Sequence, residues 1–286
     1  MNIKSTTSTI CLLGHPVKHS FSPKIHNYLF EKYNQEKVYV CFDIEEKNLS
    51  KGIDGIRALG ILGCNITIPH KVNVMNYLDN IEKNAKIIGA VNTIKNEGGI
   101  LTGYNTDGVG FSKSIIDSGY DLENKRVLII GAGGACRSIA VDLASNKVKS
   151  IEIRNRTLSK AIDITDTIKE KFDIEVKATN DTIKEQDLEN IDILINTTSI
   201  GMESNLCPID ENIKVSKKIL VCDIVYKPFN TNLIKWAKNN KLDVIYGIDM
   251  LINQGLHAFY IWTGIKPTKE DFNNIKEIYQ KEYKII

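Results

Sequence analysis

Lys71 closes the run Asn65-Ile66-Thr67-Ile68-Pro69-His70-Lys71, and Asp107 sits in Asn105-Thr106-Asp107-Gly108. A primary amine can stabilise a developing oxyanion and donate a proton, and a nearby carboxylate would orient it. Three more polar clusters accompany them: His19-Ser20-Phe21-Ser22-Pro23, Gly89-Ala90-Val91-Asn92-Thr93, and Met250 to Gly255 with Gln254. All are too polar for strand ends unless they converge on a ligand, and strand C-terminal ends are where α/β sheets place ligands. Each residue also has a plainer reading. Lys71 can be a solvated lysine after Pro69, and Asp107 can cap a helix starting near Gly108, or do both. Ser22 before Pro23 looks like a helix cap with proline at the first position. Gln254 can cap local structure, and Gly255 can simply permit helix packing. His70 is a second candidate acid or base, since histidine titrates near neutrality. The five histidines show no metal spacing, and no Gly-x-Ser-x-Gly elbow is present, so neither a metal centre nor a nucleophilic triad is expected.

A different chemistry is written further along. Arg126-Val127-Leu128-Ile129-Ile130 is a buried-strand pattern that runs into Gly131-Ala132-Gly133-Gly134-Ala135, where a helix begins. Such a turn presents free backbone N–H groups and a positive helix end to a pyrophosphate. Cys136 stands where the third glycine of GxGxxG would be, and it is small enough for tight helix–strand packing. The alternative is a glycine-rich turn with no ligand. Sites that prefer NAD carry an acidic residue about 20 residues on, whereas this chain has Asn155-Arg156-Thr157. Arg156 can pair bidentately with a 2′-phosphate or stack on adenine, and Lys160 adds charge one turn later, so NADP is the expected cofactor. In the plainer reading Arg154, Arg156 and Lys160 merely solvate a helix start.

Elements must carry these residues. Strand-like runs at Ile10 to Gly14, Val38 to Phe42 and Ile61 to Thr67 alternate with helical stretches at Pro23 to Lys32 and Leu49 to Leu59, which implies parallel strands with helical crossovers. Ala90 to Ile94 and Ile100 to Tyr104, around Asn96-Glu97-Gly98-Gly99, look like a hairpin. A helix from Gly108 to Ser118 leads out. The second part repeats strand and helix in the doubly wound rhythm: strands at 126–130, 150–154, 176–178, 191–195 and 219–224, helices to about Ala144 and over 158–171 and 232–239. Helical patterns at 250–264 and 269–283 need a partner sheet and are expected to return to the first domain.

At 286 residues the chain has ample core material for two α/β domains. A net charge of +2 without long blocks of one sign gives no support to nucleic-acid or membrane-surface binding. The six cysteines form no CxxC pair and read as small buried hydrophobes in a reducing compartment. With no signal-like start and no run long enough to cross a bilayer, a cytoplasmic location is expected.

The clusters, in this order, resemble the shikimate dehydrogenase family. The resemblance runs from Gly14-His15-Pro16 through Gln254-Gly255, and includes Asn196-Thr197-Thr198-Ser199-Ile200-Gly201-Met202 and Asp223-Ile224-Val225-Tyr226. It implies that Ser20 and Ser22 bind a substrate carboxylate with Tyr226 near it. Thr67, Lys71, Asn92, Asp107 and Gln254 would surround ring hydroxyls, with Lys71 and Asp107 catalytic. It assigns Ile224 and Gly247 to the nicotinamide half of the cofactor, beside Gly131, Ala132, Gly133, Gly134, Ala135, Asn155, Arg156, Thr157 and Lys160. The residue types agree: hydroxyls can hold a carboxylate, and amides both donate to and accept from ring hydroxyls.

The expected fold is therefore α/β with two domains separated by a cleft. Residues 1–107, completed by helices in 249–286, would form a substrate domain with a mostly parallel sheet, and 108–248 a Rossmann-type NADP-binding domain. The expected activity is reversible NADPH-dependent reduction of 3-dehydroshikimate to shikimate in aromatic amino acid biosynthesis. A quinate or dual quinate/shikimate dehydrogenase is the nearest rival, which Ser22 and the absent acid at Asn155 disfavour. A non-catalytic NADP-binding regulator would not need Lys71, Asp107, Asn92 and Gln254 together. The sequence leaves oligomeric state open, a homodimer included.

Overall fold

Ile10, Cys11, Leu12 and Leu13 are apolar without alternation, the pattern of a strand covered on both faces, and they lie fully buried in β1 (Ser8–Gly14). The computed structural model describes residues 3–285. After β1 come α1 (Ser22–Lys32), β2 (Lys37–Asp43), α2 (Leu49–Ala58), β3 (Gly63–Ile66), β4 (Asn80–Ile81), α3 (Lys83–Ile88), β5 (Thr93–Glu97) and β6 (Ile100–Tyr104). Next are α4 (Asp107–Asp117), β7 (Arg126–Ile130), α5 (Gly134–Ser145), β8 (Ser150–Arg154), α6 (Leu158–Lys171), β9 (Glu175–Thr179), α7 (Glu185–Glu189), β10 (Ile193–Asn196) and β11 (Leu220–Asp223). The series ends with α8 (Asn232–Asn239), β12 (Asp243–Ile245), α9 (Gly247–Thr263) and α10 (Lys269–Glu282). Two units divide the chain: one runs to Thr106 and resumes at Ile252, the other covers Asp107–Leu251.

The first unit holds a six-stranded sheet in the order β2-β1-β3-β5-β6-β4. β1 pairs in parallel with β2 and β3, and β4 with β6, whereas β5 is antiparallel to both β3 and β6. The sheet is thus mostly parallel but mixed, because the β5–β6 hairpin reverses one strand. That hairpin turns at Gly98 and Gly99, as its glycines suggest, but β5 begins at Thr93 and not at Ala90. Residues before it act as a junction: Asn92 N donates to Tyr104 O, and Ile66 N to Asn92 O, at 3.0 and 2.8 Å. On one face Ile53 and Ile56 of α2 pack over Cys11, Cys64, Ile66 and Ile94. Against the same unit lies the C-terminal part of α9, whose Trp262 Nε1 donates to Ile94 O at 2.9 Å.

Helix α10 is clamped to α1 by one carboxylate. Asp271, fully buried, completes a capping box with Thr268, accepts from Tyr33 Oη at 2.7 Å and pairs with Lys32 Nζ at 2.8 Å. An edge-to-face contact of Phe21 on Tyr279, with ring centres 5.2 Å apart, continues the seam. This anchors the helix whose first turn follows Ser20.

The second unit holds six strands, all parallel, in the order β12-β11-β10-β7-β8-β9. That is the doubly wound Rossmann order, two βαβαβ halves meeting between β7 and β10. The short edge strands β4 and β12 and helix α3 lie outside the sequence reading; α3 is only six residues long and is set by a Glu82 side-chain cap.

Burial opposes the charge on Asp271, but its hydrogen bonds from Lys32, Thr268 and Tyr33 prevail and hold its carboxyl below the usual carboxylate pKa. A depressed folded-state pKa stabilises above the unfolded value and is lost as pH falls through the folded one. Asp271→Ala is therefore expected to cost about 1–2 kcal/mol at neutral pH, the scale of a lost cap with its hydrogen bonds. The deficit should shrink once pH drops below about 4, as read by urea melts of both proteins across that range; a deficit independent of pH would contradict the charge argument.

Candidate functional site

Six of the substrate candidates fall in the first unit: Ser20 and Ser22 after β1, Thr67 and Lys71 after β3, Asn92 just before antiparallel β5, and Gln254 on α9. The turn after β1 is stitched to the turn after β3: His15 N donates to Ile68 O and Thr67 N to Leu13 O, both at 2.9 Å. A Cβ on Gly14 would overlap the Thr67 methyl, so the glycine lets Thr67 close onto β1. Ser20 is half-buried and its Oγ accepts from Ser22 N at 3.2 Å. Ser22 does not cap α1. It is the first helical residue, Pro23 the second, and Phe21 occupies the cap position with no side-chain bond. That leaves the buried Ser22 hydroxyl unneeded for capping.

Lys71 is half-buried and its carbonyl accepts from Val91 N at 2.8 Å, which brings its backbone beside Asn92. His70, next to it, is fully buried with Nε2 2.8 Å from Ile44 O. A carbonyl can only accept, so Nε2 carries the proton and donates. His70 is thus an anchor for the Lys71 turn, not an acid or base facing a substrate.

Asn92 is the centre of a buried polar set. Its Oδ1 accepts from Thr106 N at 2.8 Å, its Nδ2 lies 3.0 Å from Thr106 Oγ1, and Thr93 Oγ1 donates to Oδ1 at 3.0 Å. Thr106 Oγ1 also donates to Gln254 Oε1 at 3.4 Å. Asn65 extends the set, donating from Nδ2 to Thr93 Oγ1 at 3.0 Å and accepting from Tyr39 Oη at 2.7 Å. Burial raises the Tyr39 pKa well above its ordinary value, so this phenol stays a donor. His26 stacks on Tyr39 at 4.4 Å, and burial, against a smaller upward pull from Asn65, lowers its pKa to about 3. It is a neutral ring beneath the site. Tyr39, Thr93 and Thr106 were not singled out from sequence. A buried amide such as Asn65 at the end of an apolar strand was the available sign, because it must find partners. Gln254 is buried on α9, and Gly255 beside it would bring a Cβ to 3.1 Å of Ile25, so that glycine serves packing on α1.

Asp107 and Tyr226 belong to the second unit. Asp107 is buried and opens α4, one residue after Thr106, so it lies within the first turn and does not precede it as a cap.

The glycine turn of the second unit divides by purpose. Gly131 has φ +104°, and a Cβ there would come within 2.7 Å of Thr197 Oγ1, so the fold itself demands glycine. At Gly133 and Gly134 a Cβ would meet nothing within 4 Å. Protein packing does not require glycine at those two, and their bare backbones leave the first N–H groups of α5 accessible. Gly133 caps that helix without a side-chain bond. The donor set fits a pyrophosphate. Asn155 Nδ2 donates to Thr157 O at 2.8 Å, shaping the turn that displays Arg156 and Lys160, both exposed. Arg154 is not available in the same way: its donors go to Glu152, Asp187 and Thr182 O. Ile224 is half-buried after β11, and Gly247 is packed against it, where a Cβ would lie 2.6 Å from Val225 C.

A doubly wound sheet with an open glycine turn, in one chain with a separate α/β unit carrying a lysine and buried amides, defines a dinucleotide-binding α/β protein of the oxidoreductase kind. Residues 12–94 match the shikimate dehydrogenase substrate binding domain, 112–226 the shikimate/quinate 5-dehydrogenase domain, and 247–272 the shikimate 5′-dehydrogenase C-terminal domain. The shikimate dehydrogenase (NADP(+)) of Caldanaerobacter subterraneus subsp. tengcongensis is 47% identical over 267 residues, 92% of this chain and 94% of that one. A crystal structure of a shikimate dehydrogenase in complex with NADP+ has TM-score 0.87 at 41% identity, covering 96% of each chain. The shikimate 5-dehydrogenase of Listeria monocytogenes, in complex with shikimate and NAD, has TM-score 0.87 at 32% identity, covering 98% of each. The chain belongs to the shikimate dehydrogenase family.

Proposed function

We propose that the chain catalyses the reversible reduction of 3-dehydroshikimate to shikimate with NADPH, a step towards aromatic amino acids. The observation that carries this is the buried set Asn92, Thr106 and Gln254 beside the Lys71 turn. Buried amides already oriented by one another suit a polyhydroxylated ring, and reject an analogue that leaves them unpaired. NADPH, when bound, supplies the hydride that adds to the carbonyl carbon.

In this reading the protein's own contribution is to position and to move a proton. Lys71 Nζ donates to the carbonyl oxygen as negative charge develops there, and takes the proton back in the oxidative direction. Asp107 supplies a carboxylate that accepts from a ring hydroxyl. Thr67, Asn92 and Gln254 hold the remaining hydroxyls. Ser20 and Ser22 donate to the carboxylate, which agrees with a Ser22 hydroxyl that no helix cap uses, and Tyr226 belongs to the same group. The turn Gly131-Ala132-Gly133, whose first N–H is given to Arg154 O, brings the pyrophosphate to the first N–H groups of α5 at Gly134 and Ala135. Asn155, Arg156, Thr157 and Lys160 take the 2′-phosphate, and Ile224 and Gly247 border the nicotinamide. NADP over NAD follows from Arg156 and Lys160, both exposed after β8, with Asn155 standing where an NAD site would carry an acid. Among the described residues no helix is long and apolar enough to cross a membrane. A cytoplasmic location goes with this reading, since the six cysteines are scattered and form no CxxC pair, a usage that suits a reducing compartment.

Shikimate should be oxidised far faster than quinate when NADP+ reduction is followed by absorbance; equal rates would refute the assignment. Lys71→Ala should lower kcat by about 10²-fold or more, the scale of a lost general acid, with folding and NADP+ affinity retained. Near-normal turnover would remove the lysine from the chemistry. Arg156→Asp should move the ratio of kcat/KM for NADP+ over NAD+ towards NAD+ by at least about tenfold, since a carboxylate repels the 2′-phosphate. An unchanged ratio would contradict the role of Arg156.

A further inference from the structure

Asn196 ends β10 and Asp223 ends β11, and the two stand opposite one another in register on neighbouring parallel strands. Both are buried, at 0% and 3% exposure. Asp223 Oδ1 accepts from Asn196 Nδ2 at 2.9 Å and from Val225 N at 3.0 Å, and Oδ2 accepts from Thr231 Oγ1 at 2.6 Å. Among the described residues these donors are all neutral. A buried carboxylate without a cation is costly to keep, and burial does push the Asp223 pKa up, against pulls from Thr231, Val225 and Asn196. An apolar residue would sit more cheaply at this sheet position, so the carboxylate's use lies in what it holds.

What it holds is both turns leaving this edge of the sheet. Asn196 Oδ1 accepts from Thr198 N at 3.1 Å and from Thr198 Oγ1 at 2.7 Å, which shapes residues 197–201. Thr197 at the start of that turn donates to Ile130 O at 2.8 Å and crowds Gly131. Through Val225 and Thr231, Asp223 brackets the turn 224–231, which carries Ile224 and Tyr226 and against which Gly247 is pressed. Two turns at the C-terminal edge, where doubly wound sheets bind ligands, are thereby tied to one side chain.

We propose that Asp223 is a positioning residue: through the three contacts it accepts, and the two that its partner Asn196 accepts, it fixes the two turns that border the dinucleotide, and so sets cofactor affinity and turnover without touching substrate. This rests on the dehydrogenase reading above. It acts by geometry, because an asparagine can still accept from Val225 and Asn196 while its amide donates to Thr231.

The test compares Asp223→Asn and Asp223→Leu with the parent chain, using thermal melts, NADP+ Kd by calorimetry, and kcat and KM for shikimate. Asp223→Asn should stay within about threefold of the parent in Kd and kcat, and Asp223→Leu should weaken Kd and lower kcat by about tenfold or more, the scale of lost buried hydrogen bonds. KM for shikimate should change less than Kd for NADP+ in Asp223→Leu, since the Asn92 set lies in the other unit and only Tyr226 of the substrate group rides on the turn 224–231. A cooperatively folded Asp223→Leu with parental Kd and kcat would overturn the proposal, as would an Asp223→Asn as impaired as the leucine variant. If leucine prevents folding, Thr231→Val, which removes the Oδ2 donor together with the cap that Thr231 Oγ1 gives Ile234 N on α8, must weaken Kd in the same direction in a variant that still melts cooperatively, and a parental Kd there overturns the proposal too. NADP+ affinity is read without turnover. A chain that bound NADP+ yet left shikimate unoxidised would refute the functional reading, while the Kd comparison would still decide this one.

Discussion

The backbone N–H of Thr106 donating to Asn92 Oδ1 is the contact on which the first unit's site depends. An amide oxygen accepting from a main-chain donor cannot rotate away without leaving both groups unpaired in a dry interior, which costs about 1–3 kcal/mol. The Asn92 side chain is therefore held with its nitrogen 3.0 Å from Thr106 Oγ1, which in turn lies 3.4 Å from Gln254 Oε1. The mixed sheet serves the same constraint. Reversing β5 brings the start of one hairpin strand and the end of the other together, so that Asn92 and Thr106 meet across the open end of the hairpin. A fully parallel sheet would have placed them at opposite edges.

The second unit solves a related problem with different means. Its parallel strands all end at one edge, and each turn there must satisfy its own polar groups while leaving room for a ligand. Gly131 does this by yielding volume to Thr197, and the Asn196–Asp223 pair by satisfying the turns from beneath. Gly133 and Gly134 remain open because, among the described residues, nothing lies within 4 Å of where their Cβ atoms would be. The two units thus divide the labour: buried amides oriented by one another in the first, and bare backbone donors in the second.

Much of this was legible in the residues. β7 was readable to its end residues because Val127 to Ile130 is an apolar run, β8 because Ser-Ile-Glu-Ile-Arg alternates polar and apolar residues, and α6 and α8 because their apolar spacing is helical over more than one turn. β4 and β12 were not, since short edge strands such as Asn80-Ile81 and Asp243-Val244-Ile245 carry no periodic signal. The types of site residue could be read through the family resemblance, but not their bonding. Thr106 is 14 residues from Asn92 and 148 from Gln254, and no spacing rule reaches that far. His70 shows the opposite failure: its titration range suggested chemistry, and only burial and the Ile44 carbonyl reveal an anchor.

The clamp of α10 on α1 has a consequence for how the chain matures. The first unit is discontinuous, with the second inserted between Thr106 and Ile252. During synthesis the ribosome releases β1 to β6 early, but Asp271, Trp262 and Tyr279, which close the face of α1 and that sheet, emerge last. The inserted Rossmann unit can reach its native form while its neighbour still waits with apolar surface uncovered, so the nascent chain's exposure to aggregation is concentrated in that interval.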